Sequence, residues 1–471
     1  MKDKFYITTT IPYANAFPHI GFALEIVQAD ILARWNRMNG KDVFFLTGTD
    51  EHGVKNFQTA KKEGLDVQDF VDRNSSGFRE LTRVLNISND DFIRTTDKEK
   101  HWPGVLALWN ILKANGDIYK KKYTGNYCSG CERFVTDKDL VEGKCLDHPN
   151  LEIHQIEEEN YFFKLSKYSD QIKDLIVKDE LKITPVHWKN GFLALIKDGL
   201  QDVSFSRHKS VLPWGIPVPE DDEQVMYVWC DALTNYLTGV GYPGEKYKKY
   251  WPADLHVVGK DMLRFHAGIW PGMLLSAGLP LPKEIPVHGF LTVDGKKMSK
   301  SLGNVVSPLD LAKKYSSDAI RYSLARGFVF GQDGDFSESV LVERHNNELA
   351  DKLGNLVARV GGLIEKNGIE KVENNLIKKL DKEKIGNLIG GFEFDKALNE
   401  IFKFIDDCNF YVQNKKPWET KDKGVLFELK ESILEVANLL LPFIPESAQK
   451  IVDQFNSESI VKGEILFKKI E

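Results

Sequence analysis

The 471-residue chain is poor in cysteine, with five in all. That excludes a disulfide-built scaffold and fits a reducing compartment. No run approaches the eighteen or so apolar residues of a membrane-spanning helix. No charge of one sign dominates: 63 Lys and Arg face 69 Asp and Glu, for a net charge of −6. The overall basic excess of many nucleic-acid binders is therefore missing, although a net charge leaves local basic paths open. Long repeats and low-complexity tracts are absent too. The opening residues Met1-Lys2-Asp3-Lys4-Phe5-Tyr6 lack a leader pattern, so a cytoplasmic location is expected. What is present is a globular balance, 42% hydrophobic and 28% charged, over a length that suggests about three domains.

Phe5 to Thr10 is β-branched and aromatic and reads as a strand. The proline-bearing stretch 11–18 reads as a loop. Leu24, Val27, Ile31 and Trp35 repeat at helical spacing from Ile20 to Arg37 and stop at Asn39-Gly40. Val43-Phe44-Phe45-Leu46 is short and uncharged, as a buried parallel strand is. Strand, loop, helix, strand predicts a βαβ unit and a doubly wound sheet. From Tyr119 the character shifts to cysteines, glycines and a Glu157–Glu159 run, which reads as an insertion. Sheet-like runs return at 255–259 and 285–290. From about Leu341 the apolar residues keep helical spacing, with breaks at Asn367-Gly368, Pro417 and Pro442, which predicts a helical bundle. The expected division is a split Rossmann α/β core at 1–118 and 215–330, a connective insertion at 119–214 and an all-α bundle at 331–471.

Two segments suit nucleotide chemistry. His19 and Gly21 open the first helix at the mouth of the sheet. There a helix N-terminus offers N–H groups and a positive dipole end to phosphate, an imidazole adds a donor, and a glycine leaves room for a base. Asp294-Gly295-Lys296-Lys297-Met298-Ser299-Lys300-Ser301 is a turn followed by a cationic loop, and ammonium groups suit polyphosphate. A third constellation is Cys128-x2-Cys131, then thirteen residues, then Cys145-x2-His148. Three thiolates and one imidazole form a closed tetrahedral set of the kind structural Zn²⁺ takes, with Asp147 the alternative fourth ligand. Cys230 and Cys408 lie on apolar helical patterns and are expected in the core.

Taken together, His19-Ile20-Gly21 and Lys297-Met298-Ser299-Lys300-Ser301 resemble the paired signatures of class I aminoacyl-tRNA synthetases. Phe22 departs from the first signature, standing where its second histidine is usual. Ile11-Pro12-Tyr13-Ala14-Asn15, Gly48-Thr49-Asp50-Glu51-His52-Gly53, Tyr227-Val228-Trp229-Cys230-Asp231-Ala232-Leu233 with Tyr236, and Gly259-Lys260-Asp261-Met262-Leu263-Arg264-Phe265-His266 extend the resemblance. It becomes, along nearly the whole chain, a resemblance to the methionyl-tRNA synthetase family. The resemblance implies that Asp50 meets the substrate ammonium. Ile11, Tyr13, Trp229, Ala232, Leu233, Tyr236, Phe265 and His266 then shape a methionine pocket, the aromatic surrounding that a weakly accepting thioether calls for. It implies ATP contacts from His19, Gly21, Arg207, Gly259, Lys260, Asp261 and Lys300, with Lys297, Lys300 and Mg²⁺ opposing His19 across the triphosphate. It implies anticodon contacts from Asn355 and Arg359, four apart on one helix face, and from Trp418 stacking on a base.

The insertion is too short for the editing domain of the related leucine, isoleucine and valine enzymes. The implied reaction forms methionyl-adenylate and pyrophosphate from L-methionine and ATP. It then transfers methionine to tRNA(Met), the initiator included, for translation initiation and elongation. A monomer is expected. The rival readings are a non-catalytic synthetase-like tRNA-binding paralogue, which Phe22 keeps open, and a nucleotidyltransferase acting without tRNA.

Overall fold

A computed structural model describes residues 2–128, 133–135, 140–146, 149–298 and 303–471. The chain divides into two compact units. One comprises Met1–Pro18, Gly40–Leu81 and Asn89–His288; the other comprises His19–Asn39, Thr82–Ser88 and Gly289–Glu471.

The first unit is built on a parallel sheet. Lys4–Thr8 pairs with Asp42–Thr49 on one side and Leu255–His256 on the other, and Asp42–Thr49 pairs onward with Asp91–Arg94. Glu284–His288 pairs with both Leu255–His256 and Val258–Gly259, and also with Lys182–Thr184. Tyr6, Ile7, Phe45, Leu46, Ile285 and Val287 are all fully buried, as strands covered on both faces require. Gly48 is needed where it stands, because a β-carbon there would fall 2.0 Å from the Ile93 carbonyl oxygen on the neighbouring strand.

Three details differ from the sequence reading. The first strand ends at Thr8, because the Thr9 hydroxyl donates to the Thr10 carbonyl and starts the loop. The run 255–259 is interrupted at Val257, whose N–H donates to Thr8. Lys182–Thr184 joins the parallel sheet from within the stretch expected to be pure insertion; with one apolar residue ahead of Pro185 it carries almost no strand signal.

The other described strands of the insertion are antiparallel, and helices Ser169–Val177 and Val186–Leu195 accompany them. Ile118–Cys128 and Ile153–Phe163 pair over eleven residues, from Ile118 opposite Phe163 to Cys128 opposite Ile153. Arg133–Val135 and Val203–Ser204 flank this ribbon. A second small sheet joins Ser206–His208, Asp221–Met226 and Pro217–Val218.

The second unit is mainly helical. Helix Ile20–Met38 is buried along most of its length from Ile20 to Ala33. Ser317–Gly327, Asn355–Asn367, Phe394–Lys415, Lys423–Leu440 and Pro445–Asn456 supply further long helices. Ser316 and Asp422 cap two of them through side-chain oxygens. The breaks fall where Gly368 takes a positive φ of 71°, where Pro417 opens a short helix and where Pro442 follows Leu440. The fully buried Arg321 ties this unit together. Its guanidinium donates to the carbonyls of Phe443, Leu85 and Pro442, and it pairs with Asp30 of the first helix at 2.7 Å. Three short strands, Leu291–Val293, Lys296–Lys297 and Gly334–Phe336, complete the unit.

Candidate active site

In the first unit, loops at the carboxyl ends of the parallel strands carry the chemistry-bearing residues. Tyr13 and Asp50 form an isolated parallel bridge: the Asp50 N–H donates to Pro12 at 2.9 Å, and the Ala14 N–H donates to Asp50 at 2.8 Å. The loop after strand Asp42–Thr49 is pinned on its far side by the buried Glu51. That carboxylate accepts two bonds from Arg94 at 2.6 and 2.9 Å, plus the hydroxyls of Thr49 and Thr96. The indole N–H of Trp214 donates to the Glu51 carbonyl at 2.9 Å. The buried Asp50 is thereby held in one place.

Ile11, Trp229, Ala232, Leu233, Tyr236 and Phe265 belong to one contiguous apolar cluster, against which Tyr13 packs. Trp229 and Phe265 stack with ring centroids 3.6 Å apart. The Tyr236 hydroxyl lies 2.6 Å from His266 Nε2. His266 Nδ1 lies 2.9 Å from the Met262 carbonyl, which can only accept. The neutral ring therefore carries its proton on Nδ1, and Nε2 accepts the hydrogen bond that the Tyr236 hydroxyl donates. Behind them, His256 bridges the Thr8 hydroxyl and the Trp270 indole. Burial holds its pKa well below the usual histidine value, so it stays neutral. The result is an aromatic surface, with the Tyr236 hydroxyl paired to His266, suited to an apolar side chain.

Gly259, Lys260 and Asp261 follow strand Val258–Gly259, and the exposed Asp261 folds back so that a β-carbon on Gly259 would meet its Oδ1 at 2.8 Å. Arg207 faces inward: it is 2% exposed, donates to the Ser204 hydroxyl and Ser206 carbonyl at 2.6 and 2.8 Å, and lies 3.7 Å over the Tyr227 ring. Its contacts are those of an internal strut.

The second unit contains both signature segments, and they adjoin. A β-carbon on Gly21 would lie 3.8 Å from Met298 Cε, and the Ile20 N–H donates to Val306 at 3.0 Å. The helix start differs from the expected open anion site. His19 caps its own helix, with Nδ1 accepting from the Gly21 N–H at 3.1 Å and its carbonyl accepting from Phe22 and Ala23. The first four N–H groups are therefore taken. With Nδ1 accepting, the neutral ring carries its proton on Nε2, so the exposed imidazole is the donor that remains. Gly21 serves that ring: a β-carbon would sit 3.0 Å from His19 Cε1 and Nδ1. Phe22 is buried, so it packs.

The Lys297 backbone pairs with Thr292 in a hairpin whose two-residue turn, Asp294-Gly295, has positive φ at both positions, as such hairpins require. Asp335 braces that turn through Thr292 and the Gly295 N–H. The Lys297 side chain and Lys300 lie outside the described residues. So do Cys131 and His148, whereas Cys128 and Cys145 are buried in one small cluster with Val135. Asn355 is exposed and Arg359 half-buried on helix Asn355–Asn367, and Trp418 is 41% exposed on the short helix Pro417–Thr420.

His52, His101 and Asp231 are buried polar residues of the first unit to which the motifs attach no role, and the one sequence signal for them is Asp231, an acid within an otherwise apolar run.

The family model described as tRNA synthetases class I (M) matches residues 5–155 and 150–361. The model described as the anticodon-binding domain of tRNA ligase matches residues 375–469. Methionine–tRNA ligase of Brucella suis is 42% identical over 474 residues, covering 96% of this chain and 92% of its own. The protein of the same name from Thermotoga maritima is 41% identical over 99% of this chain and 80% of its own. The solved structure of Mycobacterium tuberculosis methionyl-tRNA synthetase in complex with methionyl-adenylate superposes with a TM-score of 0.91 at 40% identity, covering 96% of this chain and 94% of that one. By matches that run through catalytic and anticodon-binding regions alike, the chain belongs to the tRNA synthetases class I (M), the family of the methionine–tRNA ligases.

Proposed function

We propose that the chain is a methionine–tRNA ligase. The observation that carries this reading is the linkage of the methionine-pocket residues in one unit. Asp50 is bridged to Tyr13, and Tyr13 packs on the cluster of Ile11, Trp229, Ala232, Leu233, Tyr236 and Phe265; Tyr236 is bonded to His266. Asp50 takes the substrate ammonium, and the paired aromatics take the thioether side chain.

The methionine carboxylate attacks the α-phosphorus of ATP and displaces pyrophosphate; the terminal ribose hydroxyl of tRNA(Met), the initiator included, then attacks the acyl carbon, the acyl–phosphate bond breaks and AMP leaves. The nucleophile arrives ionised, so the first step needs positioning and charge stabilisation rather than a general base. His19 Nε2, Lys297 and Lys300 oppose charge on the phosphates. Gly259, Lys260 and Asp261 receive the nucleotide, Gly21 keeps the His19 ring in place, and Arg207 braces its own strand through Ser204 and Ser206. Mg²⁺ supplies further neutralisation on the triphosphate.

Cys128, Cys131, Cys145 and His148 would hold Zn²⁺, which would supply a structural cross-link between the two knuckles. Among the described residues, Cys128 and Cys145 are buried in one cluster with Val135, and Leu140 and Ile153 pack against it, so two of the four thiolate and imidazole donors lie in the same small cluster. Residues 1–118 and 215–330 carry activation, 119–214 the connective insertion, and 331–471 anticodon contact through Asn355, Arg359 and Trp418. No helix among the described residues is long and apolar enough to cross a membrane; a cytoplasmic monomer is part of this reading.

Methionine-dependent ATP–pyrophosphate exchange tests the whole. Lys300→Ala slows adenylate formation far more than it weakens methionine binding, and equal losses would remove its role in the transition state. Absence of exchange with every amino acid would favour the tRNA-binding paralogue.

A further inference from the structure

Asp231 is fully buried on the helix Val228–Leu233, in the middle of an apolar run. His52 Nδ1 lies 2.5 Å from one of its carboxylate oxygens and His101 Nε2 lies 2.8 Å from the other. Both imidazole nitrogens donate, since an ionised carboxylate only accepts. Burial alone would raise the Asp231 pKa, but the two histidines outweigh it and hold the group below its ordinary value. The chain continues from His101 Nδ1 to the Thr238 hydroxyl at 2.8 Å.

Each member sits on a different piece of the first unit. His52 is two residues beyond Asp50, and its ring is wedged edge-on against Trp214 with centroids 5.4 Å apart. His101 precedes the helix Trp102–Ala114. Asp231 shares its helix with Trp229, Ala232 and Leu233, and Thr238 ends the short helix that carries Tyr236. Apolar residues of similar volume could join these elements without desolvating a carboxylate. What the ionic arrangement adds is a fixed spacing with a direction, because each oxygen accepts from one ring nitrogen at one reach.

We propose that Asp231, bridging His52 and His101, is the positioning residue of the amino-acid site: it sets the separation between the Asp50 loop and the Trp229–Tyr236 wall, and so selects substrate by the length between ammonium and side-chain end. This rests on the methionine reading above.

The test is steady-state pyrophosphate exchange on the full chain with methionine and its one-carbon-longer analogue ethionine. Asp231→Asn and Asp231→Leu raise the methionine KM by about tenfold or more, as expected when a buried charged partner is lost. The ATP KM stays within about twofold, and the preference for methionine over ethionine falls. Rescue separates positioning from space filling. His52→Asn puts an amide nitrogen where Nδ1 stands, and His101→Gln puts one where Nε2 stands. Those two keep several-fold more kcat/KM for methionine than the mismatched His52→Gln and His101→Asn.

Matched and mismatched variants behaving alike would overturn the proposal. So would methionine and ATP KM values rising together in Asp231→Asn, the shape-conserving variant used should Asp231→Leu fail to fold. An unsubstituted chain active with another amino acid and not with methionine would refute the functional reading, and the proposal with it. Normal methionine exchange with Asp231 variants that keep both KM and preference would refute only the proposal.

Discussion

Replacing Arg321 by methionine removes four interactions from a site without water access. The guanidinium donates to Phe443 and Leu85 at 3.0 Å each and to Pro442 at 2.7 Å, and it pairs with Asp30 at 2.7 Å. Each carbonyl bond contributes about 1 kcal/mol, or about 3 together. Breaking a buried ion pair costs about 3–5 kcal/mol. The low end applies because Asp30 keeps Arg34 at 2.7 Å and both the N–H and hydroxyl of Ser88. The sum is about 6 kcal/mol, comparable with the whole stability of an ordinary domain. Arg321→Lys keeps the charge, but one ammonium cannot reach four acceptors spread around a planar fork, so it loses about half as much.

Urea unfolding followed by circular dichroism reads these losses as midpoint shifts at constant slope. Asp30 lies on the helix that begins after His19, so exchange activity should fall at the same urea concentration as the helical signal. A loss below about 1 kcal/mol for Arg321→Met would refute the reasoning, because it would mean that the freed carbonyls and Asp30 find water or other partners at little cost.

Acid sensitivity follows from the same carboxylate. Burial pushes the Asp30 pKa up, but Arg321, Arg34 and Ser88 hold it below its ordinary value. Its stabilisation is complete above the unfolded pKa of about 3.9 and is lost as pH falls through the lower folded value. Asp30→Asn should therefore cut the acid slope of the urea midpoint by about one proton. Cys145→Ser should lower bound zinc, measured by atomic emission, and broaden amide signals across 118–163; full zinc retention would exclude Cys145 as a ligand. Trp418→Ala should raise the tRNA KM about five- to a hundredfold through the lost base stack, with pyrophosphate exchange as the tRNA-free reference.

Local pattern made some elements legible. Helix Ile20–Met38 showed its apolar spacing and its Asn39-Gly40 stop because both are set by residues within a turn or two of each other. The bundle breaks at Gly368 and Pro417 were visible for the same reason. Lys182–Thr184 was not, since a three-residue strand owes its existence to the neighbour it pairs with. The spacing predicts a helix start after Pro18 open to an anion, yet His19 Nδ1 takes the Gly21 N–H, a side-chain conformation that no spacing reports. That Arg207 lies buried over the Tyr227 ring is likewise a contact between residues twenty positions apart that no motif spacing reports.

From the sequence alone came the alternation of a parallel α/β core with a helical C-terminal region, the two signature segments and the methionine assignment. All are carried by neighbours in the chain or by motifs a few residues long. Tertiary structure alone decided which distant residues meet. Asp231 finds His52 and His101 across 179 and 130 positions of sequence, and Arg321 closes on carbonyls 236 and 122 positions away. Such contacts leave no periodic trace, because what selects them is the cost of leaving a buried charge unpaired once the elements have packed.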